Sequence, residues 1–196
     1  MSAGRTWRGA VFIATSLDGF IARDNGDIEW LTDPPGEADT GKGHVEKHAG
    51  PHPAPDYEAF IADVDHVVIG RGTLAKVLTF SSWPYAEHHV VVLSSTLPMG
   101  GDDRYTVTRS VEETAGLLSE RGCSVAYVDG GGVIRSFLKA GLIDEMTISV
   151  APVLLGSGLS LFTGLDLSAD VRLTHTGTST IGSGMTSSRY LIKHDS

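Results

Sequence analysis

Chemistry-capable residues in this chain gather at the ends of short apolar runs. Gly130, Gly131 and Gly132 follow the run Val125–Val128 and precede a stretch carrying Ile134, Phe137 and Leu138 at helical spacing. Successive glycines between a strand and a helix let backbone N–H groups approach an anion with no Cβ in the way. The helix that follows adds its positive dipole end at the same point. The same glycines also suit a tight turn where a helix packs closely on a sheet, so the turn alone leaves both readings open. It is not a dinucleotide fingerprint: Arg135 stands where the third spaced glycine belongs.

Other residues only imitate functional motifs. Gly36–Gly43 nearly spells a phosphate-binding loop but lacks a Ser or Thr after Lys42, and prolines stand where its strand should end. His44 and His48 are four apart, yet Val45 replaces the glutamate of a zinc-protease helix, so a phosphate-binding metal hydrolase has little to rest on. His88 and His89 mark the end of a loop before a strand, and no serine sits in a nucleophile elbow. No metal site is expected.

The elements that must position these residues follow from periodicity. Ala10–Ala14, His66–Ile69, Val90–Leu93, Val125–Val128 and Met146–Val150 are continuous apolar runs, the pattern of strands covered on both faces. Tyr57, Phe60, Ile61 and Val64 form one helical stripe, and Asp56 before it is a favoured N-cap. Ser110 and Glu113 form a capping box, and Gly141 can close the helix after the glycines. Asp170–Ser179 and Met185–Lys193 alternate around Gly182-Ser183-Gly184, as in an antiparallel hairpin. The 24 residues from Thr32 to Pro55 are rich in Pro, Gly, Asp and His and read as a long loop. The expectation is one three-layer α/β domain over residues 1–196.

Composition narrows the partners. At 196 residues and a net charge of -9, with 15 scattered Lys and Arg, the chain does not suit a nucleic-acid surface. No stretch is long and apolar enough to span a bilayer, and the N-terminal segment has no secretory core, so the cytoplasm is the default location. The single cysteine, Cys123, forms no internal disulfide and reads as a packed thiol.

Taken in order, these segments resemble the dihydrofolate reductase superfamily. They are most similar to the branch holding the reductase domain of the bifunctional riboflavin-biosynthesis deaminase/reductase and its stand-alone relatives. Ser16-Leu-Asp-Gly-Phe-Ile-Ala22 with Asn25 and Trp30 resembles the mobile loop that covers nicotinamide. Asp56-Tyr-Glu-Ala-Phe60 resembles the helix carrying the active-site carboxylate, Gly70-Arg71-Gly72-Thr73 the Gly-Arg-x-Thr turn, and Leu93-Ser94-Ser95 the turn after the next strand. The triple glycine matches the segment that meets the cofactor pyrophosphate and nicotinamide.

The resemblance implies the superfamily's three-layer fold, a mostly parallel sheet ending in an antiparallel hairpin. It also implies an NADPH-dependent reductase acting on a pteridine-, pyrimidine- or flavin-like heterocycle or a carbonyl compound. A binding module of the same fold, without turnover, is the alternative. Arg71, Ser94 and Ser95 would meet the 2′-phosphate, and Thr73 with Gly70 and Gly130–Gly132 the pyrophosphate. Ala14, Ile21, Leu93, Val128, Val133 and Ile134 would border the cofactor. Trp30 and Phe60 would line the substrate pocket. Asp56 would face that pocket against apolar walls with a raised pKa and handle a proton, supported by Ser149. The arginine that holds the folate carboxylate is missing from Pro84–His89, which argues against folate. A substrate phosphate would fall to Arg23, Lys42 or Arg135. Stand-alone relatives suggest a homodimer.

Overall fold

The computed structural model describes residues 5–32, 54–167, 169–181 and 184–194. In chain order its strands are β1 (Arg8–Ser16), β2 (Phe20–Ala22), β3 (His66–Gly70), β4 (His89–Leu93), β5 (Tyr105–Thr108), β6 (Val125–Val128), β7 (Glu145–Ala151), β8 (Leu159–Ser160), β9 (Leu173–Ile181) and β10 (Met185–Ile192). Its helices are α1 (Glu29–Thr32), α2 (Tyr57–Ile61), α3 (Arg71–Val77), α4 (Val111–Glu120) and α5 (Gly131–Lys139).

Eight strands form one sheet in the order β5-β4-β3-β6-β1-β7-β10-β9, with β2 and β8 as a separate pair. The six strands from β5 to β7 run parallel, and β10 and β9 join antiparallel. The unbroken apolar runs are explained by the two cores they serve. On β3, Val68 packs into one core with Val11, Ile134, Phe137 and Leu118, while Val67 and Ile69 pack into the other with Phe60, Leu74 and Val77. Helices α4 and α5 thus cover one face, and α2 and α3 the other. This is the three-layer fold with a mostly parallel sheet and an antiparallel C-terminal pair.

Local signals set the element ends. The Ser110 hydroxyl accepts the Glu113 N–H (3.1 Å), and the Glu113 carboxylate accepts the Arg109 N–H, closing the capping box one residue earlier than its usual form. Helix α5 stops where Gly141 takes φ 65°, with Leu142 N–H donating to Phe137 O (2.9 Å) and Gly141 N–H to Leu138 O (3.0 Å).

Three local expectations need correction. The helix expected to reach Val64 is the short α2, and Val64 is buried in the turn beyond it. The strand expected from Asp170 starts at Leu173. The Gly-Arg-x-Thr segment is not only a turn, because Arg71 opens helix α3. The edge strand β5 has only the four residues YTVT, too short to stand out by periodicity. Residues 36–43, His44 and His48 lie outside the described residues.

Candidate functional site

A cavity of about 1210 Å³ opens at the C-terminal ends of the parallel strands, where the loops after β1, β3, β4 and β6 converge. Ligands in open α/β sheets bind in this place because helix N-termini face the crevice there. Two such termini do so here. Helix α3 starts after Gly70 and α5 after Gly130, and neither N-cap carries a side-chain hydrogen bond to the first turn. Among the described residues no side chain caps these ends, so their leading N–H groups can meet an anion in the cavity that Gly70–Gly72 and Gly130–Gly132 line.

The glycines differ in what they permit. Gly130 has φ 89°, and a Cβ there would stand 2.5 Å from Thr73 Oγ1, so the triple-glycine turn and the Gly-Arg-x-Thr turn touch. A Cβ on Gly131 would meet Arg135 Nη1 at 3.0 Å and Ile21 Cδ1 at 3.1 Å. Gly132 has open space where its Cβ would be, so its backbone is bare to a ligand.

Most of the expected cofactor residues line this cavity: Gly70, Arg71, Thr73 and Leu93 on one side, Ala14 and Ile21 on another, and Gly130, Gly131, Gly132 and Val133 at the α5 end. Val128 and Ile134 are instead fully buried core residues. The Ser94 hydroxyl accepts the N–H groups of Leu97 (3.1 Å) and Thr96 (3.4 Å), which makes it a turn-forming group, while Ser95 is exposed.

The substrate side departs from expectation. Asp56 caps α2, its Oδ1 accepting the Ala59 N–H at 2.7 Å, and its carboxylate is exposed instead of set against apolar walls. Ser149 gives it no support: its hydroxyl donates to Ser187 Oγ (3.0 Å) across the β7–β10 pair. Phe60 is buried in an aromatic cluster with Phe12 (centroids 5.0 Å apart) and Tyr127 (5.1 Å), behind the cavity wall. Trp30 is buried on α1, its indole N–H without an acceptor among the described residues.

Two carboxyls stand in the wall, Asp24 on the loop after β2 and Asp129 between β6 and the glycines. Burial pushes the Asp129 pKa up to about 6, against the opposing pull of the Gly130 N–H and the Tyr127 phenol. Tyr127 donates its hydroxyl to Phe12 O (2.9 Å), and Tyr85 shares the cavity wall. Burial, and then the Asp129 charge, raise both phenols above their usual range. Sequence periodicity gives an Asp in a strand-to-helix turn no special mark; its signal is the alternation on β6, which puts positions 127 and 129 on one face.

Arg109 was also missed. It follows β5, and its Nη1 donates to Ser94 O (2.6 Å) and Leu97 O (2.7 Å), fixing a guanidinium beside the Ser94-Ser95 turn. The loop after β1 is anchored by Asp18, whose carboxylate accepts the Ser16 hydroxyl (2.6 Å) and the N–H groups of Leu155 and Gly156. These bonds, led by that of Ser16, hold its pKa down at about 2. Cys123 lies at the opposite ends of the strands with Asp65 and His66, and burial raises its thiol well above the usual range.

The family model described as the RibD C-terminal domain matches residues 9–187. The uncharacterized protein YwjB of Bacillus subtilis (strain 168) is 34% identical over 170 residues, covering 85% of this chain and 88% of that protein. A crystallised protein of Shewanella sp. PV-4, provisionally assigned to riboflavin biosynthesis, superposes with a TM-score of 0.75 at 34% identity, over 95% of this chain and 99% of that one. Dihydrofolate reductase from Enterococcus faecalis, in complex with NADP(H) and RAB-propyl, shares the fold at a TM-score of 0.64 and 16% identity, over 95% of this chain and 97% of that one.

Proposed function

The chain belongs to the RibD C-terminal domain family, and from that premise we propose that it is an NADPH-dependent reductase acting on a small heterocyclic or carbonyl substrate. The observation that carries this reading is the pair of uncapped helix N-termini facing one cavity whose wall also holds a partly buried carboxyl.

The residues present fit the cofactor. The pyrophosphate would lie against the first N–H groups of α3 and α5, where Gly72 and Gly132 leave the backbone uncovered. Arg71, Ser95 and the remaining N–H groups of Arg109 would hold the 2′-phosphate, which favours NADPH over NADH. When bound, NADPH supplies a hydride. The chain's own contributions are orientation, exclusion of water and one proton.

Asp129 is the group proposed to carry that proton. Its burial keeps the carboxyl protonated at a pH where an exposed aspartate has lost its proton. That proton would go to the nitrogen or oxygen of a C=N or C=O bond as its carbon is reduced, leaving N–H or O–H. Asp18 fixes the root of the loop over the site, so that closure excludes water. We also propose that the protein works as a homodimer, which light scattering in solution tests directly.

NADPH deuterated on one face of C4, incubated with candidate heterocycles and analysed by mass spectrometry, tests the reaction. The reading expects transfer of deuterium from one face only. Absence of transfer to any pteridine, pyrimidine, flavin or carbonyl compound, with NADPH bound, would leave a binding module instead.

A further inference from the structure

In the sequence His66 only opens an apolar run and His89 only ends a loop. The structure sets the two side by side. They begin β3 and β4 and pair across that ladder, with ring centres 5.0 Å apart and ring planes at 37°. Both stand at the starts of their strands, whereas the cavity opens at the other ends. His66 is 3% exposed, and His89 is exposed.

The two ring nitrogens of His66 have different surroundings. Nδ1 lies 2.6 Å from Asp65 Oδ1, and Oδ2 of the same carboxylate accepts the Ser124 N–H (2.8 Å). Burial opposes ionisation of Asp65, but hydrogen bonds led by that of His66 hold its pKa below the usual range. Asp65 is therefore a carboxylate and can only accept, so Nδ1 carries the ring proton and neutral imidazole keeps its lone pair on Nε2. That Nε2 is buried and has no hydrogen-bond partner among the described residues. A buried acceptor without a donor is costly, and a carboxylate on the other nitrogen is the usual support of a metal-binding imidazole. The spacing to His89 agrees. A metal about 2.0 Å from one nitrogen of each ring lies about 3.2 Å from each ring centre, which sets the centres about 5 Å apart at a tetrahedral angle.

We propose that His66 Nε2 and His89 bind one divalent transition-metal ion such as zinc, with water completing its shell and Asp65 orienting the buried imidazole. Neutral imidazoles suit zinc and its neighbours in the series better than magnesium or calcium. His89, being exposed, can turn to admit the ion. Once bound, the ion bridges β3 to β4 and stabilises the sheet at the end remote from the cavity. Cys123 offers a rival arrangement, because its ligand atom lies with those of Asp65 and His66 within 4.8 Å. That set needs a thiolate, whereas burial, and then the bond to Asp65, keep the thiol protonated.

The test uses the full chain treated with a chelator and then titrated with Zn2+ alone by calorimetry, with thermal melts in parallel. The proposal expects a zinc site of about 10 μM affinity or tighter whose filling raises the melting temperature. His89→Ala, at an exposed position, should fold normally and weaken that site about 10-fold or more, while Cys123→Ser keeps it. Nitrogen NMR of the imidazoles identifies the ligand atoms without any substitution at buried His66. Zinc should shift Nε2 of His66 and one nitrogen of His89, and leave Nδ1 of His66 protonated. No zinc binding, or unchanged affinity in His89→Ala, overturns the proposal. Loss of zinc in Cys123→Ser with a shift at His66 Nδ1 also overturns it, because the ion then sits on the Asp65–Cys123 side. None of these readouts depends on NADPH or on turnover.

Discussion

Asp129 stands between a polar neighbour, the Gly130 N–H, and a wall of phenyl and phenol rings, and the wall has the larger effect on its proton. Its folded pKa of about 6 lies above the ordinary 3.8, so folding favours the protonated form. Its contribution to stability is complete below pH 4 and is lost as the pH rises through 6. Asp129→Asn is thus expected to raise stability at pH 8 by on the order of 2 kcal/mol and to change little at pH 3.5, measured by urea denaturation at both pH values. The same variant should lower kcat about 100-fold or more while NADPH still binds. Asp56→Ala should do the reverse: it removes an N-cap, costs about 1 kcal/mol, and leaves turnover within a few-fold. The sequence showed both aspartates but not their environments. An Asp before a helical stripe announces a cap, whereas Asp129 shares its cavity wall with Phe12 and Tyr85, which are distant in the chain.

At the scale of elements, the loops at the strand ends behave as two devices. The first is the contact between the triple-glycine turn and α3. Gly130→Ala would force a side chain into a left-handed backbone and against Thr73, so it should cost about 2 kcal/mol of stability and disrupt the site. Gly132→Ala meets nothing within 4 Å, so it should fold normally and lose NADPH affinity about 10-fold or more, as the methyl occupies the bare face of the turn. Thermal melts alongside NADPH titration separate the two outcomes. The second device is the Asp18 clamp on the Leu155-Gly156 turn. Asp18→Ala should speed amide hydrogen exchange at Leu155 and Gly156 without changing exchange in β3 or β6. The low Asp18 pKa means that the clamp is fully made above pH 4 and is lost only as the pH falls toward 2.

For the molecule as a whole, the parts legible in the sequence were those written in continuous runs. His66–Ile69 and Val90–Leu93 announce buried parallel strands because both of their faces meet a core, and the glycines after Val128 announce the turn that opens α5. Long-range partners were not legible. Arg109 reaches the Ser94 carbonyl only because β5 pairs with β4, and Ser149 meets Ser187 only because β10 folds back on β7. The account stands on the claim that the cleft between α3 and α5 receives NADPH. Calorimetric titration of the full chain with NADPH and with NADH tests this most directly. The prediction is one NADPH per chain, with NADH weaker by about 10-fold or more and Arg109→Gln narrowing that gap. No heat with NADPH, or equal affinity for the two nucleotides, would contradict it.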